Sequence, residues 1–486
     1  MKNSVRTTVV FLFFAALAPE KASAQNLLKQ INEAPLLTLN EFLTQTGKNT
    51  FFEEILIDTL DLKYSEVLAL PAEDVVLGVK GAYQVLFPSE SDSKPSHGLD
   101  SSVSLSKLFA DSGTSLSAGV STSPSGSSGH TSQFVFEIAQ PIAQNAFGKA
   151  NRLTRKLTQI ENRILEMQIV EAYEDYYAEL ITLYYTWHAE YAALQSSQNS
   201  YITSRSLIEE MEQKYDYGIA NQLDLDKSNI QLYSKLDSLI QQETDFKETM
   251  DLIKQAMMID DAALLYRPQL EDYYSLEDLD FDRYYTDFQN DSRTYEVFSL
   301  TEERSDLNVR LRADELLPSA NLYANYRLNG RGIFFAEGPE DQSLQIGVDL
   351  SYPIASSQAR ASYEREKIDR TRTALSNANK KIELKNDLRR LFYDLESGVE
   401  RIALSDRRVE MANRIAESES RDYNLGKSDL NDLISALNQV DTVAQSRISA
   451  IVRQNQNTVE LLRFTDRLVS ESVLDQAELI KEKTEE

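Results

Sequence analysis

The chain has 486 residues, with 77 acidic against 50 basic side chains, a formal charge of −27 and no cysteine. That balance disfavours binding to nucleic acid or an anionic lipid surface by charge and makes cations the natural small partners; disulfides and thiolate metal ligands are excluded. With a mean hydropathy of −0.41 and no run of about 20 apolar residues after residue 25, the chain can cross a membrane only as strands.

Residues 1–24 read as a signal peptide. Lys2 and Arg6 precede the apolar run Val9 to Leu17, and Ala22-Ser23-Ala24 offers a cleavage site before Gln25. An uncleaved anchor is the alternative, but the run is too short to span a bilayer. Removing Lys2, Arg6, Lys21 and Glu20, a net charge of +2, takes the mature chain from −27 to −29. An amphipathic helix is predicted from Leu39 to Tyr64, ending near Pro71, and Val75 to Phe87 has strand composition. Ser89 to Ser132 is rich in Ser and Gly. Within it Leu116, Ala118 and Val120 alternate with Ser115, Ser117, Gly119 and Ser121, and the pattern resumes in Phe134, Phe136 and Ile138. A hairpin with one apolar face and a flexible linker are both compatible with that stretch.

Lys149 to Tyr217 contains neither Gly nor Pro, so a helix of roughly 100 Å is predicted. Tyr173, Tyr177, Leu180, Tyr184, Trp187, Tyr191 and Leu194 step by four and three, a heptad seam with aromatic knobs. Leu225 to Ile259 returns as a shorter helix, bounded by Pro268. Glu271 to Asp291 is packed with acids and aromatics, including Tyr273, Tyr274, Tyr284 and Tyr285. It reads as a solvated connecting loop rather than a calcium site, because the Gly-containing spacing of a calcium loop is missing. Helical periodicity resumes from Thr294 to Leu317. Then Leu322, Ala324, Tyr326 and Leu328 alternate with polar residues, as do Leu344, Ile346, Val348, Leu350 and Tyr352. One face is oily and the other wet, as a lipid-facing, water-lined barrel wall requires. Half-burial on a soluble core gives the same period, and the export signal and long helices favour the barrel. A second long helix, Ala361 to Asn424, carries a seam from Leu384 to Ala416 that is expected to pair with the first, and Asp432 to Leu468 returns.

Two elements occur twice, about 210 residues apart. Tyr215, Gly218, Asp224 and Leu225 are repeated in spacing by Tyr423, Gly426, Asp432 and Leu433, each set lying between two predicted helices. Gly after an apolar run stops a helix and Asp a few residues later caps the next, so each set reads as the tip of a helical hairpin. The strand ending Pro141-Ile142-Ala143 is likewise answered by the one ending Pro353-Ile354-Ala355. Internal duplication of strand, long helix, tip and returning helix is the simplest account. On these motifs the chain resembles the TolC-type outer-membrane efflux and secretion channels over nearly its whole mature length.

The predicted fold is mainly α with transmembrane β. Segments are expected at 1–24 (signal), 25–70 (N-terminal helix), 71–143 (first β hairpin and Ser-rich loop), 144–268 (first helical hairpin), 269–293 (acidic connecting segment), 294–317 (helix), 318–355 (second β hairpin), 356–470 (second helical hairpin) and 471–486 (tail). Four strands cannot close a barrel, and an open edge in lipid leaves backbone groups unpaired. Three copies would give 12 strands. The resemblance implies the same homotrimer, with a β-barrel in the outer membrane and a periplasmic α-helical barrel closed at the hairpin tips. It further implies a periplasmic adaptor and an inner-membrane transporter as partners, no cofactor, and a role as the exit duct of a tripartite efflux or type I secretion system.

In that family acidic residues on the second tip ring the entrance. Asp432 matches the first ring, Ser435 stands where a second Asp is found, and Asp429 is the candidate substitute. The family's inter-hairpin lock joins a Tyr and a basic residue to an Asp of the neighbouring hairpin. Tyr423 and Asp224 match, but the basic position holds Ser428, and whether the adjacent Lys427 replaces it stays open. For Asp224 and Asp432, helix capping is the competing role. His97, His130 and His188 lack metal-ligand spacing, and no nucleophile motif or phosphate-binding loop is present, so catalysis is not expected. A periplasmic adaptor or structural coiled-coil protein without a pore is the alternative, although an adaptor usually carries one hairpin rather than two.

Overall fold

The computed structural model describes residues 27–47, 49–86, 96–125, 129–261, 264–269 and 280–475. The expected signal segment, the end of the tail (476–486) and most of the acidic segment before Asp280 lie outside these residues. The chain divides into two compact units. One contains the sheet with the nearer parts of the long helices (Ile57–Gln168 and Arg293–Ile382), the other the N-terminal segment, the hairpin tips and the returning helices.

In the first unit, six strands form one antiparallel sheet in sequence order: β1 (Val76–Leu86), β2 (Ser96–Phe109), β3 (Thr114–Ser125), β4 (Gly129–Pro141), β5 (Ser319–Arg331) and β6 (Gly338–Ser351). The expectation of four strands is therefore corrected to six, and segment 71–143 holds four strands rather than one hairpin and a loop. Ser96 to Phe109 is a strand despite its serines, because Leu99, Val103 and Leu105 keep the two-residue period that a pleated ladder selects. Beside the sheet, Leu157, Ile160 and Ile164 pack with Leu307 in a small core.

The single helix expected over Leu39 to Tyr64 is two: α1 (Leu39–Thr46) and α2 (Thr50–Ala69). Thr38 and Glu41 form a reciprocal capping box at the start of α1, and Gly47 caps its end. The long helices are α3 (Lys149–Asp216), returning as α4 (Gln222–Ala256), and α7 (Ser357–Asn424), returning as α8 (Leu430–Phe464). The two hairpins match in length: α3 and α7 have 68 residues each, α4 and α8 have 35 each, and the second set follows the first at a constant offset. Between them lie α5 (Phe281–Asp291) and α6 (Arg293–Asp314). A loop was expected where α5 stands. It is helical because Asp280 caps its first N–H groups and Phe281, Tyr284 and Phe288 share one face, against Phe392 and Phe464.

The main core of the second unit lies along the aromatic seam of α3. Trp187, Tyr184, Tyr191 and Leu194 are fully buried, and their partners are Leu239, Phe246, Met250 and Ile253 of α4 together with Leu28, Ile31, Leu37 and Phe42 of the N-terminal segment. The expectation that α7 is the partner of this seam is thus corrected. Large rings need more room than one facing helix gives, and the N-terminal segment fills it; Tyr184 donates to Leu37 O at 2.9 Å and Tyr191 to Asn32 Oδ1 at 2.6 Å. The seam of α7, with Leu388, Leu395 and Ile402 buried, meets its own returning helix. At Gly398 a Cβ would lie 1.8 Å from Gln454 Oε1 of α8, so the Gln454 side chain occupies the space that Gly398 leaves open.

Candidate functional site

Two regions stand out as candidate sites, the sheet and the hairpin tips. The sheet's register places Leu77, Leu105, Ala118, Phe136, Tyr326 and Leu344 side by side in one row across all six strands. A neighbouring row on the opposite face reads Lys80, Ser102, Ser121, Gln133, Asn329 and Asp341. The polar face is bonded to itself: Gln133 donates to Asn329 Oδ1 at 3.0 Å, Asn329 to Asp341 Oδ1 at 2.7 Å, Asn325 to Glu137 Oε2 at 2.9 Å, and Lys80 pairs with Asp100 at 3.5 Å. On the apolar face Tyr326 donates to Gln342 Oε1 at 2.9 Å, and Leu344, Ile346, Val348 and Leu350 are exposed. Strands of 11 to 14 residues meet the roughly 9–11 that a tilted membrane strand requires.

At the tips, Gly218 and Gly426 take φ of +70° and +68°, left-handed values that a β-carbon disfavours. Around Gly218, its N–H reaches Tyr215 O (2.9 Å) and the Ile219 N–H reaches Lys214 O (2.8 Å); around Gly426 the same bonds run to Tyr423 O (3.0 Å) and, from Lys427, to Asp422 O (2.8 Å). Both are helix stops of one design. Asn221 then caps α4, accepting from Asp224 N at 3.1 Å while the Asp224 carboxylate reaches back to Asn221 N at 3.4 Å. On α8 the cap is Asp429, accepting from Asn431 N (2.7 Å) and Asp432 N (3.0 Å). Asp432 is exposed, and its own carboxylate has no hydrogen bond or ion pair among the described residues. Capping thus falls to Asp429 with Asp224 in support, and Asp432 is the acid left over.

Tyr423 is half-buried with Leu430 and Leu433 of α8 and Leu207, Ile208 and Met211 of α3. Burial, reinforced by the charges of Asp224 and Glu210, raises the pKa of its phenol and keeps it protonated. Its hydroxyl meets Met211 Sδ at 3.1 Å and makes no hydrogen bond to Asp224. Lys214 of the first hairpin stands over the ring, Nζ 4.3 Å from the centroid, and donates to Asn424 Oδ1 at 3.1 Å. Lys427 is exposed without a side-chain partner among the described residues, and Ser428 donates to Glu419 Oε2 at 2.6 Å. The cation that touches Tyr423 is therefore Lys214, which sequence reasoning missed by searching only beyond Gly426. Its place immediately before Tyr215 in the repeat was the available signal.

Behind the tips two further links join the returning helices. Lys235 Nζ lies 2.6 Å from Asp441 Oδ2, and Gln231 and Asn438 exchange hydrogen bonds of 2.8 and 3.4 Å. Neither pair was foreseen. His188 on α3 has its pKa lowered by burial, while His97 and His130 lie on β2 and β4. Glu171, Glu174 and Asp466 form an acidic trio, but Glu174 already accepts from Leu468 N (2.8 Å) and Val469 N (3.3 Å), holding the segment that follows α8.

No protein-family model and no curated protein matches the sequence. Solved structures do match. The Campylobacter jejuni CmeC outer-membrane channel aligns over 92% of this chain and 89% of its own at 13% identity, with a TM-score of 0.68. CusC, whose structures concern folding and transmembrane channel formation, aligns over 88% and 91% at 10% identity, also with a TM-score of 0.68. The open state of the Neisseria gonorrhoeae MtrE outer-membrane channel aligns over 88% of each chain at 12% identity, with a TM-score of 0.62. Together with the paired hairpins and the two-faced sheet, these likenesses establish that the chain has the fold of the TolC-type outer-membrane channels.

Proposed function

We propose that the chain is an outer-membrane exit duct, a homotrimer that receives substrates from an inner-membrane transporter through a periplasmic adaptor and conducts them out without chemical change. The observation that carries this reading is the sheet: an apolar face and a polar face continue over six membrane-length strands, and both edges are open. Six strands fall short of the eight of the smallest membrane barrels, so closure needs further copies. The helices ask for neighbours as well. Ile368, Leu375 and Ile382 of α7, spaced by seven, are 60%, 63% and 64% exposed, a seam that another copy would cover. A 68-residue helix of about 100 Å is long enough to cross most of a periplasm. The matched hairpin lengths and tips support an internal duplication.

Within this reading Asp432, repeated around the axis, gives the entrance its negative potential, with Asp429 beside it holding the helix end. Tyr423 and Lys214 hold the two tips of one chain together, with Asp224 alongside. A pore-free adaptor or coiled-coil protein accounts for the helices but leaves the apolar sheet face without an occupant. Extraction and mass discriminate the two. The duct should require detergent for release from outer membranes and should have the mass of three copies after correction for bound detergent; a water-soluble or monomeric protein would reject it.

A further inference from the structure

We infer that β1 and β6 are the joints between copies, so that the β1–β2 hairpin belongs to the membrane wall and three copies close a barrel of eighteen strands. This rests on the three-copy reading above. Among the described residues β1 pairs only with β2 and β6 only with β5, leaving a free row of backbone donors and acceptors at each end of the sheet. In lipid such an edge is untenable, because no water is there to bond its unsatisfied groups. In water, exposed edges are commonly blunted by proline or outward charge. β1 has neither: its apolar side carries Leu77, Val79, Tyr83 and Val85, and its one charge, Lys80, lies on the polar side, paired with Asp100.

A second copy fits these edges in three respects. The cross-strand rows keep their character to the last strand, apolar from Leu77 to Leu344 and polar from Lys80 to Asp341, so a neighbour in the same orientation extends each row. The strand number is even, so β6 of one copy runs antiparallel to β1 of the next and the ladder continues without a break in direction. With 11 and 14 residues, both edges are long enough to span the hydrocarbon. The hairpin is also no loose appendage, because β2 pairs with β3 without interruption from Ser101 opposite Thr122 to Phe109 opposite Thr114. At a strand spacing of about 4.8 Å and a tilt of about 40°, eighteen strands give a backbone radius of about 18 Å, against about 12 Å for twelve.

The absence of cysteine makes cross-linking a clean test. Ala82→Cys on the polar side of β1 is combined in turn with Ser343→Cys, Gln345→Cys or Asp349→Cys on the polar side of β6. A control set pairs the same β6 cysteines with Ser117→Cys on β3. Disulfides need Cα atoms within about 7 Å, so only adjacent strands can link. After mild oxidation in native membranes, at least one Ala82 pair should give covalent dimers and trimers, and the Ser117 set should give none. A three-copy assembly that links through Ser117, or through neither set, would overturn the inference and leave the three-copy reading intact. A monomer or dimer by mass in detergent would overturn that reading and the inference with it.

Discussion

The two hairpin tips have nearly the same backbone and divide their side-chain work differently. Each stops its helix with a left-handed Gly, returns the following N–H groups to the same carbonyl positions, and opens the next helix with a capped turn. At the first tip Asp224 is drawn into the capping box with Asn221; at the second, Asp429 does the capping alone and Asp432 is left free. Tyr215 is 41% exposed, whereas its counterpart Tyr423 lies under Lys214 from the other hairpin. Exposed Ile219 and Leu223 of the first tip are answered by Lys427 and Asn431 at the second, whereas Tyr217 and its counterpart Leu425 are both exposed. What the backbone requires is the same at both tips, and the groups that the backbone does not use differ.

The largest expected effect probes what the tips share. Gly218→Val and Gly426→Val should each destabilise the detergent-solubilised protein by about 2 kcal/mol, since a β-branched residue at positive φ is strained. Equal losses in thermal unfolding would support one backbone design, and a large inequality would break the comparison. Next in size is the link between tips. Lys214→Ala with Tyr423→Phe removes a cation–π contact and a hydrogen bond worth about 1–2 kcal/mol together, and single-channel conductance should rise with the assembly intact. Lys427→Ala should do little alone or in combination, because its side chain contacts neither tip partner.

Smaller effects separate the acids. Asp429→Ala should cost about 1 kcal/mol of stability as a lost cap, and Asp224→Ala somewhat less, because Asn221 keeps its own bond to the backbone. Asp432→Ala should leave stability unchanged and shift the reversal potential across a salt gradient away from cation preference. A stability loss at Asp432 equal to that at Asp429 would mean that the second tip uses its acids as the first does.

The smallest effect lies away from the tips. Burial, with the charge of Asp245 added, raises the pKa of Glu190, so the fold favours its neutral form. The cost of the charged form is absent below the ordinary glutamate range and grows as pH rises through the raised value. Glu190→Gln should therefore raise the melting temperature slightly at neutral pH and give no gain near about pH 4.

Much of this was legible because it is local. A stretch free of Gly and Pro with a four-three seam predicts α3, and a Gly–Asp spacing repeated at one offset predicts both tips. Alternation revealed β3 to β6. β2 was hidden because serine, small and polar, both alternates acceptably in a strand and dilutes the apolar signal, as around Val103 and Leu105. α5 was hidden because its helical face is aromatic and meets Phe392 and Phe464, far along the chain. Of the tip contacts, those made by Lys214, Lys235 and Gln231 join residues about two hundred positions apart, and no local pattern encodes which of many polar residues will meet. The competing reading of Asp224 as a helix-capping acid could be raised from spacing, but its assignment needed the position of Asn221.

The central claim is that copies of this chain form a conducting pore, and current across a planar bilayer tests it most directly. Purified assemblies should insert to give discrete conductance steps with a cation-preferring reversal potential, larger in the Lys214→Ala, Tyr423→Phe variant. An assembly that inserts and passes no current, in the native form and in that variant alike, would contradict the account.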